Sequence, residues 1–234
     1  MSEPHPQTGQ PIGAPVDATP AQPPGPVTIE GHYGRIEKLT AQHAPALWKV
    51  FAGHDAIWTY ISTAGPFSNE AEFSTFIAMR AEAADPYAYA IIDNAGAVAG
   101  YFTLMQIRPE MRVIEVGHVL YSPALQRTKL GTEAQYLLAK YAFETLRYRR
   151  YEWNCHALNA ASRRAALRYG FVYEGTSRQL LIAKGRNRDT AWFSMLDSEW
   201  PQRKANFERW LAPENFTADG KQKLSLSALN GVAE

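Results

Sequence analysis

The sequence has 234 residues, of which 46% are hydrophobic and 20% charged, and its formal net charge is +1. This length suffices for one domain with a substantial core, and the composition is ordinary for a globular protein. The low net charge provides no overall field that would attract nucleic acid or an anionic membrane, so we expect neither as a partner. One cysteine, Cys155, excludes an intramolecular disulfide, and its strand-like surroundings predict a buried structural thiol. Neither a secretory signal nor a membrane-spanning apolar run is recognisable, and we expect a cytoplasmic protein.

The two ends of the chain differ in composition from its centre. The first 26 residues contain eight of the fifteen prolines and almost no large apolar residue. Such a segment cannot bury enough surface to offset the entropy lost on ordering, so residues 1–27 are predicted to be a disordered arm. Residues 214–234 are again polar and are predicted to be a loosely attached tail. Residues 28–213 are left as a single domain.

Within that domain, apolar periodicity predicts alternating helices and strands. The predicted order is a strand, two helices, three strands, a helix, a strand, a helix, two strands and a final helix. TEAQYLLAKYAFETL is the clearest helix, and Thr132 is placed to cap it. A shorter helix is predicted to end at Gly170, where a left-handed conformation is needed. This order predicts a mixed α/β domain with a central sheet.

Several common chemistries lack their motifs in this sequence. There is no HExxH, no GxSxG, no GxxxxGK[ST] and no GxGxxG, and the six histidines show no metal-ligand spacing. No metal is therefore expected. The remaining candidate is the strand, loop and helix of residues 112–146. A helix start exposes unpaired N–H groups that favour an anion, and the loop before it adds Arg127 and Lys129, both able to meet phosphate.

Four sequence blocks in this region resemble those of one protein family. They are Glu-Val-Gly at 115–117, QRTKLGTEA at 126–134, Asn-Ala-Ala-Ser at 159–162 and Gly-Phe-Val-Tyr-Glu-Gly at 170–175. In this order they resemble the GNAT superfamily of acetyl-CoA-dependent N-acyltransferases, and more narrowly its RimJ/RimL-like branch. The resemblance covers about residues 28–200. It implies the GNAT fold, with a central, mostly antiparallel twisted sheet flanked by helices, and acetyl-CoA as co-substrate.

The resemblance also implies which residues would hold acetyl-CoA. Backbone groups at the end of the fourth strand would pair with the pantetheine arm, and the amides from Arg127 to Thr132 would wrap the pyrophosphate. Asn159 would hold the pantetheine or thioester end from the other side. The strand residues are Leu120, Tyr121 and Ser122. The loop residues are Gln126, Arg127, Thr128, Lys129, Leu130, Gly131 and Thr132. Lys129 replaces a glycine of the family, which is unfavourable if that position needs a positive φ, although its ammonium can attract phosphate.

Acetyl transfer to an amine requires a base, and the resemblance implies Glu115 in that role, acting through water. Glu115 lies one residue further from Pro123 than the branch leads us to expect. A β-bulge would absorb that residue, whereas a slipped register would make His118 the better candidate base. Many of these enzymes have a tyrosine that protonates the leaving thiolate, but Ala166 occupies that position here. The resemblance implies Ser162 as the proton donor instead.

The acceptor site is expected between the first two helices and the last hairpin. Five aromatic residues could line it: Trp58, Tyr60, Phe67, Phe73 and Trp192. Three carboxylates could attract a cationic amine: Glu70, Glu72 and Asp85.

The resulting prediction is an N-acetyltransferase that uses direct attack in a ternary complex. Its acceptor would be a small-molecule amine or a protein N-terminus. The alternatives are a non-catalytic acyl-CoA-binding protein with a degraded site, and an interaction module in which Lys129 blocks the pyrophosphate site. A homodimer is possible, since the branch often dimerises and exposed tryptophans in the last helix would suit an interface.

Overall fold

The computed structural model describes residues 2–232, which form ten strands and six α-helices. The strands are β1 (Ser2–Pro4), β2 (Pro11–Gly13), β3 (Thr28–Glu30), β4 (Gly34–Lys38), β5 (Tyr87–Asp93), β6 (Val98–Arg108), β7 (Val113–Tyr121), β8 (Arg150–His156), β9 (Val172–Ala183) and β10 (Arg186–Leu196). The helices are α1 (Ala44–Phe51), α2 (Glu70–Glu82), α3 (Lys129–Lys140), α4 (Ala160–Arg168), α5 (Trp200–Leu211) and α6 (Leu226–Leu229). A π-helical turn, Tyr141–Thr145, continues α3.

Eight strands form one sheet in the order β3-β4-β5-β6-β7-β8-β10-β9. Every neighbouring pair is antiparallel except β7 and β8, which are parallel and joined through α3. A parallel pair needs such a crossover because its strands start at the same edge of the sheet. The predicted fold class, a mixed α/β domain with a mostly antiparallel sheet flanked by helices, is confirmed.

Helices cover both faces of the sheet. Along β5, Tyr89 and Ile91 point into the cluster that contains α3 and α5, while Ala88 and Ala90 point into the cluster that contains α1 and α2. This alternation follows from the two-residue period of a strand. Because both faces are buried, β5 reads as a nearly continuous apolar run, YAYAII.

The start of α3 differs from the prediction. The helix begins at Lys129 and is capped by Thr128, whose extended backbone lets its Oγ1 accept from the Gly131 N–H at 3.0 Å. Thr132, predicted to be the cap, lies inside the first turn, where its Oγ1 donates to the Thr128 carbonyl. The sequence offers two threonines four residues apart, and the bend of the preceding loop selects the first.

The N-terminal segment packs against the domain instead of remaining separate from it. Residues 2–13 form an exposed two-stranded ribbon, β1 with β2. Further along, Ala21 is 5% exposed and its N–H donates to the Pro109 carbonyl. Gly25 accepts from the Tyr89 hydroxyl at 2.9 Å and donates to the Tyr141 hydroxyl at 3.1 Å. Backbone hydrogen bonds to buried tyrosines thus fix a segment whose composition alone predicted disorder.

The C-terminal segment is also folded onto the domain. Leu226 is fully buried, and Asn215 is 8% exposed. Asn215 Nδ2 donates to the carbonyls of Trp210 and Leu224, and Asn230 Nδ2 donates to the Arg168 carbonyl. The polar residues that predicted a loose tail satisfy buried backbone groups instead. The last two residues, 233 and 234, lie outside the described part of the chain.

Two further findings concern the surface. Trp200 and Trp210 of α5 were expected to be exposed and to suit a dimer interface. They are only 5% and 4% exposed and belong to the core. Among residues 2–232, no helix has both the length and the hydrophobicity needed to cross a membrane.

Candidate active site

The cleft of the molecule forms where strands β7 and β8 separate. The two strands pair only from Val113 with Arg150 to Val116 with Trp153, and β7 then continues to Tyr121 without β8 beside it. Within the described chain, no strand pairs with this edge of β7, so its backbone groups can bind an extended ligand. A cavity of about 1680 Å³ follows the opening.

A β-bulge interrupts β7 in the middle of the cleft. Tyr101 and Thr103 of β6 pair with Leu120 and Gly117 of β7, so β7 has one residue more than β6 between these two pairs. His118 lies in the bulge with a left-handed backbone, φ 44°. The predicted bulge is therefore present in this strand, and a second register shift lies between Met105 and Arg108 of β6.

Glu115 is a buried carboxylate at the point where the strands part. It is 3% exposed, and Asn154 Nδ2 donates to its Oε2 at 2.8 Å. Burial raises the pKa of Glu115 to about 7, and the nearby carboxylate of Glu152 contributes to the rise. The Asn154 hydrogen bond and the charge of Arg188 oppose it. A pKa near 7 suits a general base, because the group is substantially ionised at neutral pH and still basic enough to accept a proton.

His118 lines the same cleft but is a weaker base. Its Nε2 lies 3.3 Å from Thr63 Oγ1, and its Nδ1 lies 3.3 Å from Thr103 Oγ1. Burial, together with the charges of Arg80 and Arg188, lowers the pKa of His118 to about 4. The ring is therefore neutral at pH 7 and accepts a proton less readily than a carboxylate whose pKa is about 7.

The first turn of α3 presents backbone N–H groups at the other end of the cleft. Within residues 2–232, no acceptor meets the N–H groups of Arg127, Lys129 and Leu130. Arg127 and Lys129 line the cleft, whereas the Leu130 side chain packs against the core. Unpaired N–H groups and the positive end of the helix dipole favour an anion here.

Three of the predicted cradle amides are already used inside the protein, and the first of them, the Thr128 N–H, donates to the Leu125 carbonyl at 3.4 Å. The Gly131 N–H donates to Thr128 Oγ1, and the Thr132 N–H donates to the Thr128 carbonyl at 3.2 Å. Gly131 instead permits close packing: a Cβ there would lie 2.8 Å from the Leu125 carbonyl oxygen. Thr128, Gly131 and Thr132 all line the cleft.

Lys129 fits its position without backbone strain. It is the first residue of α3, and the positive φ of the loop, 62°, falls on Arg127. Lys129 Nζ lies 3.8 Å from the centroid of the Phe216 ring and 5.4 Å from that of Tyr33. The ammonium is thus held by aromatic rings at one wall of the cleft. Its role toward a phosphate stays a prediction.

Only two of the three residues predicted to bind pantetheine at the end of β7 line the cleft. Leu120 and Tyr121 line the cleft, and Ser122 does not. The Ser122 carbonyl accepts from the amides of Leu125 and Gln126, which makes Ser122 part of the turn after the strand. Gln126 lines the cleft, and its Nε2 donates to the Tyr121 carbonyl at 3.3 Å.

The start of α4 brings Asn159 and Ser162 to the cleft. Asn159 caps the helix by accepting from the Ser162 N–H at 3.0 Å. The Ser162 hydroxyl accepts from Trp153 Nε1 at 3.0 Å and also lies within hydrogen-bond reach of the Cys155 thiol. Burial raises the pKa of the neighbouring Cys155 thiol, in agreement with a structural cysteine.

The opposite end of the cleft lies between the loop after α1 and the β9–β10 hairpin. Lys184 at the tip of the hairpin donates to the carbonyls of Trp58 and Gly65, at 2.9 and 2.8 Å, and ties these two walls together. Tyr60 and Trp192 line the cleft as predicted. The other three predicted aromatic residues pack in the core: Trp58, Phe67 and Phe73.

The charge at this end is the opposite of the predicted one. None of the three carboxylates expected to attract a cationic amine lines the cleft. Asp85, for example, accepts the backbone N–H groups of Gln106 and Ile107. Arg80 of α2 and Arg188 of β10 line it instead. Arg188 belongs to a stretch, KGRNRD, that the sequence presents only as a turn.

Residues 2–232 contain no group of three or more histidine, cysteine, aspartate or glutamate side chains arranged to hold a metal ion.

Comparison with known proteins agrees with this geometry. A family model described as "Acetyltransferase (GNAT) domain" matches residues 35–172, more than half of the chain. The chain therefore belongs to the GNAT family of acetyltransferases, and the family recognised from the four sequence blocks is confirmed.

Solved structures show the same fold. A GCN5-related N-acetyltransferase from Brucella melitensis is 44% identical, with a TM-score of 0.88 over 92% of this chain and 98% of that one. A GNAT-family acetyltransferase from Chromobacterium violaceum is 42% identical, with a TM-score of 0.76 over 81% of this chain and 97% of that one.

A match to a curated protein is shorter. YdaF of Bacillus subtilis (strain 168), named as a candidate ribosomal N-acetyltransferase, is 30% identical over 105 residues, 45% of this chain. The chain spans 57% of the length of this relative. The match is consistent with the RimJ/RimL-like branch.

Proposed function

We propose that this protein transfers the acetyl group of acetyl-CoA to a primary amine by direct attack in a ternary complex, without a covalent enzyme intermediate. The observation that carries the proposal is Glu115, a buried carboxylate with a pKa of about 7 in the same cleft as the unpaired N–H groups of α3. An amine acceptor and an anionic co-substrate would thus meet in one cavity.

The residues around the cleft fit acetyl-CoA as a co-substrate that supplies an activated acetyl thioester. The N–H groups of Arg127 and Lys129 would bind the pyrophosphate, with Arg164 and Arg168 of α4 adding positive charge at the same end. The unpaired edge of β7 around Leu120 would bind the pantetheine arm through backbone hydrogen bonds. Asn159 would hold the thioester end through its side-chain amide.

Proton transfer would be divided between two sides of the cleft. A primary amine is mostly an ammonium ion at neutral pH and must lose a proton before it can attack. Glu115 would accept that proton, directly or through water, while Asn154 keeps the carboxylate oriented. The Ser162 hydroxyl would donate a proton toward the departing sulfur and regain one from the acetylated nitrogen, which loses its second proton as the amide forms. His118, neutral at pH 7, would lie beside the amine without being the main base.

Two kinds of acceptor are consistent with the cleft. The name of YdaF points to a ribosomal protein, and so supports a protein N-terminus. A small-molecule amine would also reach Glu115 through the opening between the loop after α1 and the β9–β10 hairpin.

The test is acceptor-dependent release of free thiol from acetyl-CoA, measured against a peptide array and an amine library. Glu115→Gln should abolish most of this release, while Glu110→Gln, at an exposed position, should not. Calorimetric titration of acetyl-CoA, with desulfo-CoA as the inert comparison, reports binding separately. Tight binding without release would identify a non-catalytic acyl-CoA-binding protein, and absent binding would refute the proposal.

A further inference from the structure

Two arginines at the acceptor end of the cleft have buried guanidinium nitrogens that lack a hydrogen-bond acceptor among the described residues. Within residues 2–232, Nε of Arg80 and Nε of Arg188 are both buried without a hydrogen-bond acceptor. Arg188 makes one long hydrogen bond, 3.4 Å from Nη2 to Asn154 Oδ1. In the same part of the chain, no ion pair includes either arginine.

Two neighbouring arginines of the sheet are matched by carboxylates. Arg108 and Arg150 both pair with Glu152, and Arg150 pairs also with Glu174. A buried donor left without an acceptor is unfavourable, and a guanidinium remains charged at any physiological pH. Arg108 and Arg150 therefore have carboxylate partners, whereas Arg80 and Arg188 have none among the described residues.

The charges that line the acceptor end are consequently positive overall. Among the described residues, the carboxylates that line the cleft are Glu115 and Glu152. Glu152 is neutralised by its two arginines, and Glu115 must give up its charge when it accepts a proton. Arg80 and Arg188 have no counterion in the cleft once that proton has moved.

Arg188 lies close to the proposed base, and Arg80 lies close to His118 in the same strand as that base. Arg188 is linked to it by two hydrogen bonds, from Arg188 Nη2 to Asn154 Oδ1 and from Asn154 Nδ2 to Glu115 Oε2. Arg80 stands over the Phe76 ring, 5.4 Å from its centroid, on a different wall of the cleft. A ligand between α2 and β10 would thus be within reach of both guanidinium groups and of the base.

We infer that the acceptor amine carries a carboxylate, which Arg80 and Arg188 bind while Glu115 accepts the proton of the amine. This inference rests on the proposed acetyl transfer. A guanidinium group presents two parallel N–H donors that match the two oxygens of a carboxylate, and a lysine cannot reproduce that geometry. The carboxylate belongs either to a free amino acid or to an acidic side chain beside a peptide N-terminus.

Matched pairs of probes test the inference. Alanine is compared with alaninamide, and the tripeptide amide Ala-Asp-Ala with Ala-Asn-Ala; the members of each pair differ in the carboxylate. A third pair, phosphoethanolamine and ethanolamine, tests for phosphate. Thiol release gives kcat and KM, and calorimetric titration of the same probes into the CoA-loaded protein gives affinity without turnover.

The variants are Arg80→Gln and Arg188→Gln, with Arg178→Gln, at an exposed position on the same hairpin, as the matched control. Each cleft variant should raise KM and Kd for the carboxylate member of a pair by about 10- to 100-fold. The uncharged member should change by less than about twofold, and the control should change neither. Arg188→Lys should restore only part of the affinity, since it keeps the charge and loses the paired donors.

The outcomes separate this inference from the proposed function. Preference for alanine assigns the carboxylate to a free amino acid, and preference for Ala-Asp-Ala assigns it to an acidic peptide. Turnover of the uncharged amines alone, with no effect of either arginine, would overturn the inference and leave acetyl transfer standing. Preference for phosphoethanolamine, or no binding of either carboxylate probe, would also overturn it. Arginine-dependent binding without any thiol release would support the inference and count against the proposed function.

Discussion

Replacing Glu115 by glutamine separates the energetic consequence of burying this carboxylate from its proposed role as a base. The pKa of Glu115 is 4.5 without the folded surroundings and about 7 within them. A shift of one unit corresponds to about 1.4 kcal/mol, so the ionised carboxylate lowers the free energy of unfolding by about 3 kcal/mol at pH 8. Because the folded pKa is the higher one, this loss is absent below pH 4.5, grows as pH rises, and is complete above pH 7.

Glutamine has nearly the same size, and its carbonyl can still accept from Asn154. We therefore expect Glu115→Gln to be more stable than the wild type by about 2–3 kcal/mol at pH 8, and by less than about 1 kcal/mol at pH 5. Urea denaturation followed by tryptophan fluorescence at both pH values measures the difference. The same variant should lose about 10²- to 10⁴-fold in kcat/KM at pH 8.

Glu110→Gln serves as the control, since Glu110 is exposed and should change stability little at either pH. A Glu115→Gln variant that is less stable than the wild type at pH 8, or whose advantage is the same at both pH values, would refute the reasoning. Either result would mean that burial does not raise the pKa of Glu115 in the folded protein.

Three further predictions concern other parts of the molecule. His118→Ala should reduce kcat/KM by less than about tenfold and leave an apparent pKa near 7 in its pH profile; disappearance of that pKa would assign the base to His118. Gly131→Ala should weaken acetyl-CoA binding by about tenfold in calorimetry, because its Cβ would meet the Leu125 carbonyl; Gly13→Ala, with no atom within 4 Å, is the control, and equal affinities would contradict the packing argument. Leu226→Ala should lower the free energy of unfolding by about 2–4 kcal/mol in urea, since this side chain is fully buried, whereas a loosely attached tail would show almost no change.

The interior of the fold was predictable because its periodicities are strong. The segments YAYAIID and TEAQYLLAKYAFETL show strand and helix patterns that the structure retains as β5 and as α3 with its π-helical turn. The chain ends were not predictable from composition. Gly25 and Asn215 are held by hydrogen bonds to residues far away in the sequence, and no local pattern records such bonds.

The candidate site was predictable where its residues lie close together in the sequence. Glu115, His118 and the loop residues 126–128 lie in one stretch of the chain, and all of them line the cleft. Arg80 and Arg188 come from α2 and β10, and only the packing of both elements around β7 brings them together. Sequence spacing therefore indicated the co-substrate end and missed the charge of the acceptor end.

The position of the C-terminal segment has a consequence for biosynthesis. Phe216, Gln222 and Ser227 line the cleft beside residues of α3 and α4 that a ribosome adds much earlier. A nascent chain can form the sheet, with Glu115 in it, before Phe216 has been synthesised to pack against Lys129. The complete cleft can therefore form only after synthesis has passed Ser227, and a chain cut before Phe216 would keep Glu115 but lose one side of the cleft.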